Sequence, residues 1–285
     1  MRKKIEIMAN ILDAIINLVE NPKPSLRDFY KSKNRANSMG EALEKYVKDI
    51  FCDTVNSDEK EAIHKHSTIF SYLGNQNNPP DIMLKKGDAI EIKKIESHNS
   101  ALALNSSFPK ARLYSDSPMI TAECRDCEKW KSKDLLYIIG HSKRNELKYM
   151  WFLYGDIYAA NSSFYNKIKT KISAGVTSIP NIEFTETKEL GKLYRIDPLG
   201  ITYLRIRGMW GIENPNKVFN YICAYDKNKG FQIFVLLRTS KFESFNKKSR
   251  NKILKSKKLI VEEVKIKDPN NPAKLINCKL IKNVI

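Results

Sequence analysis

Pro80-Asp81 and Glu91-Ile92-Lys93 are separated by nine residues within the run NNPPDIMLKKGDAIEIKKIES. These types and spacings suit a hairpin that gathers two carboxylates and an ammonium on one surface. Ile82 to Leu84 supply a first strand, and Lys85-Lys86-Gly87-Asp88 carries turn chemistry. Ala89 to Ile95 alternates, which turns Glu91 and Lys93 to one side and Ile90 and Ile92 into a core. Two neighbouring carboxylates repel each other unless a cation stands between them. A divalent ion such as Mg2+ takes hard oxygen ligands, keeps several waters and fits that place. There it can be held against a phosphodiester and acidify a water. Lys93 can orient that water or offset charge on a pentavalent transition state.

Pairing register tests this reading. Directly opposed hairpin residues share a face, so Asp81 must sit opposite Glu91 or Lys93. A four-residue loop pairing Leu84 with Ala89 sets Asp81 opposite Ile92, on the wrong side. The sequence therefore predicts an odd loop, a bulge, or a bend at Pro79-Pro80. Glu-x-Lys alone says little among 50 Lys+Arg and 32 Asp+Glu, and it recurs at Glu146, Glu186 and Glu263. Only the copy at Glu91 joins an upstream Pro-Asp, a turn and β alternation. The plain alternative is a solvated amphipathic hairpin whose charges do no chemistry.

The pattern PD-x9-ExK resembles the metal site of the PD-(D/E)xK nucleases. The segments NRANSMGEALEKYVKDIF, IFSYLGNQNNPPDIMLKKGDAIEIKKIES, SALALNSSFPK and IRGMWGIENP are similar to NgoPII-type type II restriction endonucleases, from about residue 34 to about 220. The resemblance implies an α/β (α+β) fold: a mixed central β-sheet flanked by helices, with a C-terminal β-rich DNA-recognition part. It implies that Asp81 and Glu91 hold Mg2+, that the carbonyl of Ile92 adds a ligand, and that Lys93 is the catalytic lysine. A helix ahead of the hairpin lends a further carboxylate in such nucleases, with Glu44 the first candidate here and Glu41 the second. The implied activity is Mg2+-dependent cleavage of double-stranded DNA at a short G/C palindrome (GGCC-like), leaving 5′-phosphates. A palindrome cut on both strands implies a homodimer. A cognate DNA methyltransferase protecting the same site is implied by family.

At 285 residues the chain can build one large α/β domain or two modest ones. We expect helices and a catalytic core over 1–172, and a recognition part over 173–285 packed on the same domain. A net charge of +18 and a pI near 9.5 suit a polyanion, with duplex DNA the commonest and membrane surface or ribosomal RNA the rivals. A mean hydropathy of −0.46 with 42% hydrophobic residues argues against disorder and against a membrane protein. No apolar run is long enough to span a bilayer. Five cysteines without framework spacing fit a reduced, cytoplasmic compartment. Cys124 and Cys127 form one CxxC that no second pair or nearby histidine completes into a zinc site. His64 and His66, two residues apart, do not share a helix face.

Apolar spacing predicts a helix over 4–20 (Ile5, Met8, Ile11/Leu12, Ile15/Ile16, Val19), and Ser38 to Glu41 reads as a capping box. Leu43, Tyr46/Val47 and Ile50/Phe51 form the buried stripe of that second helix. Helices are also expected over 119–133 and from Asp156 to about Lys171, and a loop over 173–198. Strands are expected at Leu135–Gly140, Leu147–Tyr154, Ile201–Arg207, Val218–Tyr225, Phe231–Leu237, Leu259–Lys267 and Leu275–Val284.

Three groups are candidates for DNA contact. Asn105, Ser106, Ser107 and Lys110 lie in a polar loop that the resemblance favours as a contact. Tyr203, Arg205 and Arg207 share a strand face, and an arginine fork matches guanine O6 and N7. Phe245 to Leu259 carries seven cations and no acid, including Lys247, Lys248 and Arg250, which suits phosphate-backbone binding. Two rivals remain: a repair or junction nuclease that cuts by DNA shape, and a non-catalytic nucleic-acid binder.

Overall fold

A computed structural model describes residues 9–31, 38–75, 78–187 and 190–283. Four helices come first: α1 (Ile11–Glu20), α2 (Leu26–Lys31), α3 (Met39–Cys52) and α4 (Glu59–Ile69). Strands β1 (Phe70–Asn75), β2 (Asn78–Leu84), β3 (Ala89–Ile95), β4 (Leu102–Asn105) and β5 (Arg112–Tyr114) precede the short α5 (Ala122–Asp126). Next are β6 (Ser132–Lys143), β7 (Glu146–Tyr154), α6 (Ser162–Thr177) and the short strands β8 (Glu183–Thr185), β9 (Gly191–Tyr194), β10 (Tyr203–Ile206) and β11 (Trp210–Ile212). The order closes with α7 (Pro215–Val218), β12 (Gln232–Arg238), α8 (Thr239–Ser244), α9 (Lys247–Lys255), β13 (Leu259–Asp268) and β14 (Asn271–Asn283).

The longest apolar runs become the middle of one sheet. Among the described residues it has nine strands, in the order β1-β2-β3-β6-β7-β12-β14-β13, with β5 added against β6. β3 runs parallel to β6 and β7 parallel to β12; the other pairs are antiparallel. Residues 135–142 of β6 and 149–154 of β7 are continuously buried, as strands covered on both faces must be. Trp151 of β7 stacks on Phe234 of β12 with ring centres 4.7 Å apart. A mixed sheet flanked by helices is thus the architecture, as the resemblance implied. No helix among the described residues is long and apolar enough to cross a membrane.

The capping box is present: Ser38 Oγ accepts from Glu41 N, and the Glu41 carboxylate accepts from Ser38 N. Leu43, Tyr46, Val47, Ile50 and Phe51 are buried beneath it. The first helix is capped by Asn10, whose side chain accepts from the N–H groups of Leu12 and Asp13. Ile5 and Met8 lie outside the described residues.

Several expected elements differ. The helix expected over 119–133 is only α5, capped by Thr121, because the chain must enter β6 at Ser132 and bring Lys133 under a turn. The helix expected from Asp156 starts at Ser162, after a short 3-10 turn at Gly155–Ile157, and runs to Thr177. The 173–198 stretch is not all loop, since β8 and β9 lie in it. Val218–Tyr225 is not a strand. Asn214 caps a turn of helix with Pro215 in its first position, and Phe219 then packs on Trp151.

Asp49 of α3 is fully buried and holds three helices together. It accepts from Tyr30 Oη (2.8 Å) and Thr54 Oγ1 (2.7 Å), and pairs with His66 Nε2 (3.0 Å). Burial raises its carboxyl, but the bonds from His66, Thr54 and Tyr30 outweigh that and hold it below the usual carboxylate range. His66 is therefore a core histidine, while His64 is exposed. Asp49→Ala strands these partners, and we expect a loss of about 3 kcal/mol in urea unfolding at neutral pH. The gap between mutant and wild type should narrow as pH falls below 3.8, where wild type loses the Asp49 contribution.

Candidate active site

The last paired residues of β2 and β3 are Ile82–Ile90 and Met83–Ala89. The loop between them, 84–88, is odd, and one step further the same register sets Asp81 opposite Glu91. The ladder stops at Ile82–Ile90, and the N–H of Ile92 donates to Asp81 Oδ2 instead (2.5 Å). The N–H and C=O of one strand residue leave by the same edge, so the Ile92 carbonyl opens toward Asp81 too. The Pro79–Pro80 peptide is cis.

The loop is gripped at both ends. Beneath it, the buried ammonium of Lys133 donates to the carbonyls of Leu84 (3.0 Å) and Gly87 (2.8 Å) and pairs with Glu128. Glu128 in turn accepts from the N–H of Lys86 (2.9 Å). At the far end, Asp88 accepts from Tyr154 Oη (2.6 Å) and from Lys241 Nζ (2.8 Å), which reaches over from α8 and also binds Asp134 (2.7 Å). Sequence reading missed Lys133 and Lys241, and saw in Asp88 only a turn residue. The one signal was a lysine standing just ahead of the apolar run LLYIIG. Lys133→Met removes the buried cation that balances Glu128 and the donor to the Leu84 and Gly87 carbonyls, and we expect about 3 kcal/mol of lost stability in denaturant titration.

Charge in the site is unbalanced. Lys93 Nζ lies 2.6 Å from Glu91 Oε1, while Glu91 Oε2 is buried and has no hydrogen-bond partner. Burial, then the facing charge of Glu91, pushes the Asp81 carboxyl up to about 7 against the opposing pull of Lys93 and the Ile92 N–H. Burial would lower the Lys93 ammonium, but Glu91, Asp81 and Glu44 outweigh it and raise it. Glu44, on the exposed side of α3, thus acts on both Asp81 and Lys93, whereas Glu41 is engaged in the cap. Among the described residues no third acid, histidine or cysteine joins Asp81 and Glu91 in a metal-holding cluster. An orphaned carboxylate oxygen and a strained neighbour carboxyl are what a cation would relieve, so the residues fit a divalent ion.

A pH dependence follows. The folded Asp81 holds its proton to about 7, whereas the unfolded chain releases it near 3.8. Without divalent ions, the Asp81 contribution to stability should be most favourable below 3.8, fall as pH rises to about 7 and stay level above that. Asp81→Asn should therefore be more stable than wild type at pH 8, by roughly 4 kcal/mol, with the difference gone near pH 4. Metal-free denaturant titrations at the two pH values check this.

The polar loop is brought to the hairpin, and the basic run is not. Lys110 N donates to Tyr137 Oη (2.8 Å), and Tyr137 is the register partner of Glu91 on β6. Burial pushes the Lys110 ammonium down to about 8 despite the charge of Glu91. Asn105, at the end of β4, pairs with Trp210 of β11, and Ser106 and Ser107 line a cavity with Lys110. Tyr203 and Arg205 are exposed on β10, in a separate three-stranded sheet with β9 and β8, and Arg207 follows just beyond it. Lys192 lies over the Tyr203 ring at 3.9 Å. Lys247 and Lys248 are exposed on α9, which packs on α1 and on β13, five strands along the sheet from β3 and so roughly 24 Å away. Arg250 keeps a buried Nε without a partner. The run is not wholly free for a ligand, since Lys252 pairs with Asp13 (2.7 Å) and Lys258 with Glu20 (2.9 Å) of α1.

The sequence profile of the NgoPII restriction endonuclease family matches residues 9–267. The type II restriction enzyme NgoPII of Neisseria gonorrhoeae is 52% identical over 273 residues, covering 95% of this chain and 98% of that protein. No solved structure matches the chain. With the match extending over the hairpin, the polar loop, the small sheet and α9 alike, this chain belongs to the NgoPII restriction endonuclease family.

Proposed function

We propose that this restriction endonuclease, like its type II relative, hydrolyses double-stranded DNA sequence-specifically, using Mg2+ at a short G/C palindrome of the GGCC kind and leaving 5′-phosphates. The observation that carries the reading is Asp81 opposed to Glu91, with one Glu91 oxygen orphaned and Lys93 alongside. Asp81, Glu91 and the Ile92 carbonyl would hold the ion, and Glu44 adds negative charge from α3. When bound, Mg2+ supplies Lewis acidity at the phosphate. Lys93 donates toward the attacking water and offsets charge that builds on the phosphorane. Ile92 is buried and Asp81 half-buried on the hairpin, which limits solvent at that edge.

Recognition is assigned to the exposed strand. Arg205 and Arg207 suit guanine O6 and N7, with Tyr203 beside them. Asn105, Ser106, Ser107 and Lys110 contact DNA next to the hairpin. Lys247, Lys248 and Arg250 serve flanking phosphates, well away from the cleaved bond. A two-fold homodimer matches the symmetry of a palindrome. The enzyme would act in the cytoplasm beside a cognate methyltransferase that protects host sites.

Digestion of unmethylated phage or plasmid DNA with Mg2+, wild type beside Asp81→Ala and Lys93→Ala, tests this. Discrete fragments sharing one G/C palindrome at their ends are expected from wild type, with losses on the order of 10³-fold or more in either variant. Ends without a common sequence would replace the reading by a shape-directed nuclease. Tight binding with no cutting in any divalent metal would leave the hairpin without catalytic work.

A further inference from the structure

Lys110 stands outside the Asp81–Glu91–Lys93 group, yet its main chain is fixed to that group from two directions. Tyr137 Oη accepts from Lys110 N and donates back to the Lys110 carbonyl (3.2 Å). Gly155 presses on the same carbonyl: a Cβ there would come within 2.2 Å of it. With Tyr137 paired to Glu91 across β3 and β6, the position of residue 110 is set by the catalytic strand itself.

The side chain is anomalous. Its ammonium is half-buried, yet it donates to the hydroxyl of Ser107 and the carbonyl of Phe108 (3.4 Å), and lies 5.2 Å from the Phe108 ring centre. All three partners are neutral. Lys93 and Lys133 each touch a carboxylate. Among the described residues no acid pairs with Lys110, and the opposite charge acting on it is that of Glu91, from beyond contact. A buried cation without a counter-ion is costly. This one faces open space, for it lines a cavity of about 280 Å3 with Ser106, Ser107 and Lys169, to which no acid contributes among the described residues; an adjoining cavity of about 760 Å3 does carry acids, Asp116 and Asp156, the latter paired with Arg238. Cationic and hydroxyl donors without an acid suit an anion, and DNA offers anions only in its phosphates.

We propose that Lys110 and Ser107 form a phosphate subsite that holds one backbone phosphate next to the cleaved bond, so that the substrate supplies the counter-charge the protein omits. The proposal rests on the nuclease reading above. It assigns to Lys110 a fixed place in the catalytic frame and not a general surface attraction. A phosphate pinned there would set the strand against Asp81 and Glu91 before reaction, where small displacements are expensive.

The test uses cognate duplexes in which one phosphate at a time is replaced by an uncharged methylphosphonate. Binding is read without divalent ion, and single-turnover cleavage with Mg2+. One position should cost wild type about 10-fold in affinity and roughly 10²-fold in cleavage. Lys110→Gln should show similar losses on ordinary DNA and no further loss at that position, while Lys110→Arg recovers part of the rate. Ser107→Ala should single out the same position more weakly, and it carries the test alone if Lys110→Gln does not fold. The subsite is overturned if Lys110→Gln keeps wild-type sensitivity at every phosphate, or handles ordinary DNA as wild type does. Failure of wild type to cut any unmodified duplex would instead bring down the nuclease reading, and this subsite with it.

Discussion

Two carboxylates set opposite each other on a hairpin repel, and in a partly buried site that repulsion is screened poorly. A hairpin carrying Asp81 and Glu91 cannot be relied on to hold itself, so it has to be restrained from elsewhere. Lys133 and Glu128 grip the turn from beneath, and Tyr154 and Lys241 grip Asp88 at its exit. Lys241 comes from α8, beyond β12, so the hairpin is restrained by chain that lies some 150 residues away from it. Much of the surrounding sheet can be understood as what brings those two lysines to one short loop.

A small acidic site in a molecule of net charge +18 also sorts the ligands that approach. The wider field attracts a polyanion, while the three acids around Lys93 oppose it locally unless a cation intervenes. Lys110 adds an unpaired positive charge at the border of that region. The result is a surface on which a phosphate backbone is drawn in generally but seated at particular points.

What sequence made legible was local. Parity alone required an odd loop once Asp81 and Glu91 had to share a face, and the capping box at Ser38 named the start of α3. What it hid was nonlocal. The helix expected over 119–133 is cut short because Lys133 has work under the turn, a demand set by Leu84 and Gly87. Residues 218–225 have strand-like composition, but Asn214 and Pro215 just upstream commit the chain to a helical turn. The basic run looked free of acids because its acids, Asp13 and Glu20, come from the other end of the chain. Glu44 came from the resemblance, and its electrostatic link to Asp81 became visible only once α3 was laid beside β3.

The parallel pairing of β7 with β12 makes the C-terminal strands part of the same sheet that carries the Asp81–Glu91 hairpin. These strands could not be exchanged wholesale between relatives, because lifting out β12 to β14 would take Lys241 and the packing of Trp151 with it. Change in this part of the chain has to come by substitution within the strands, whereas β8 to β10 stand in a sheet of their own. Divergence by small steps, and not by shuffling, is the evolutionary style this topology permits.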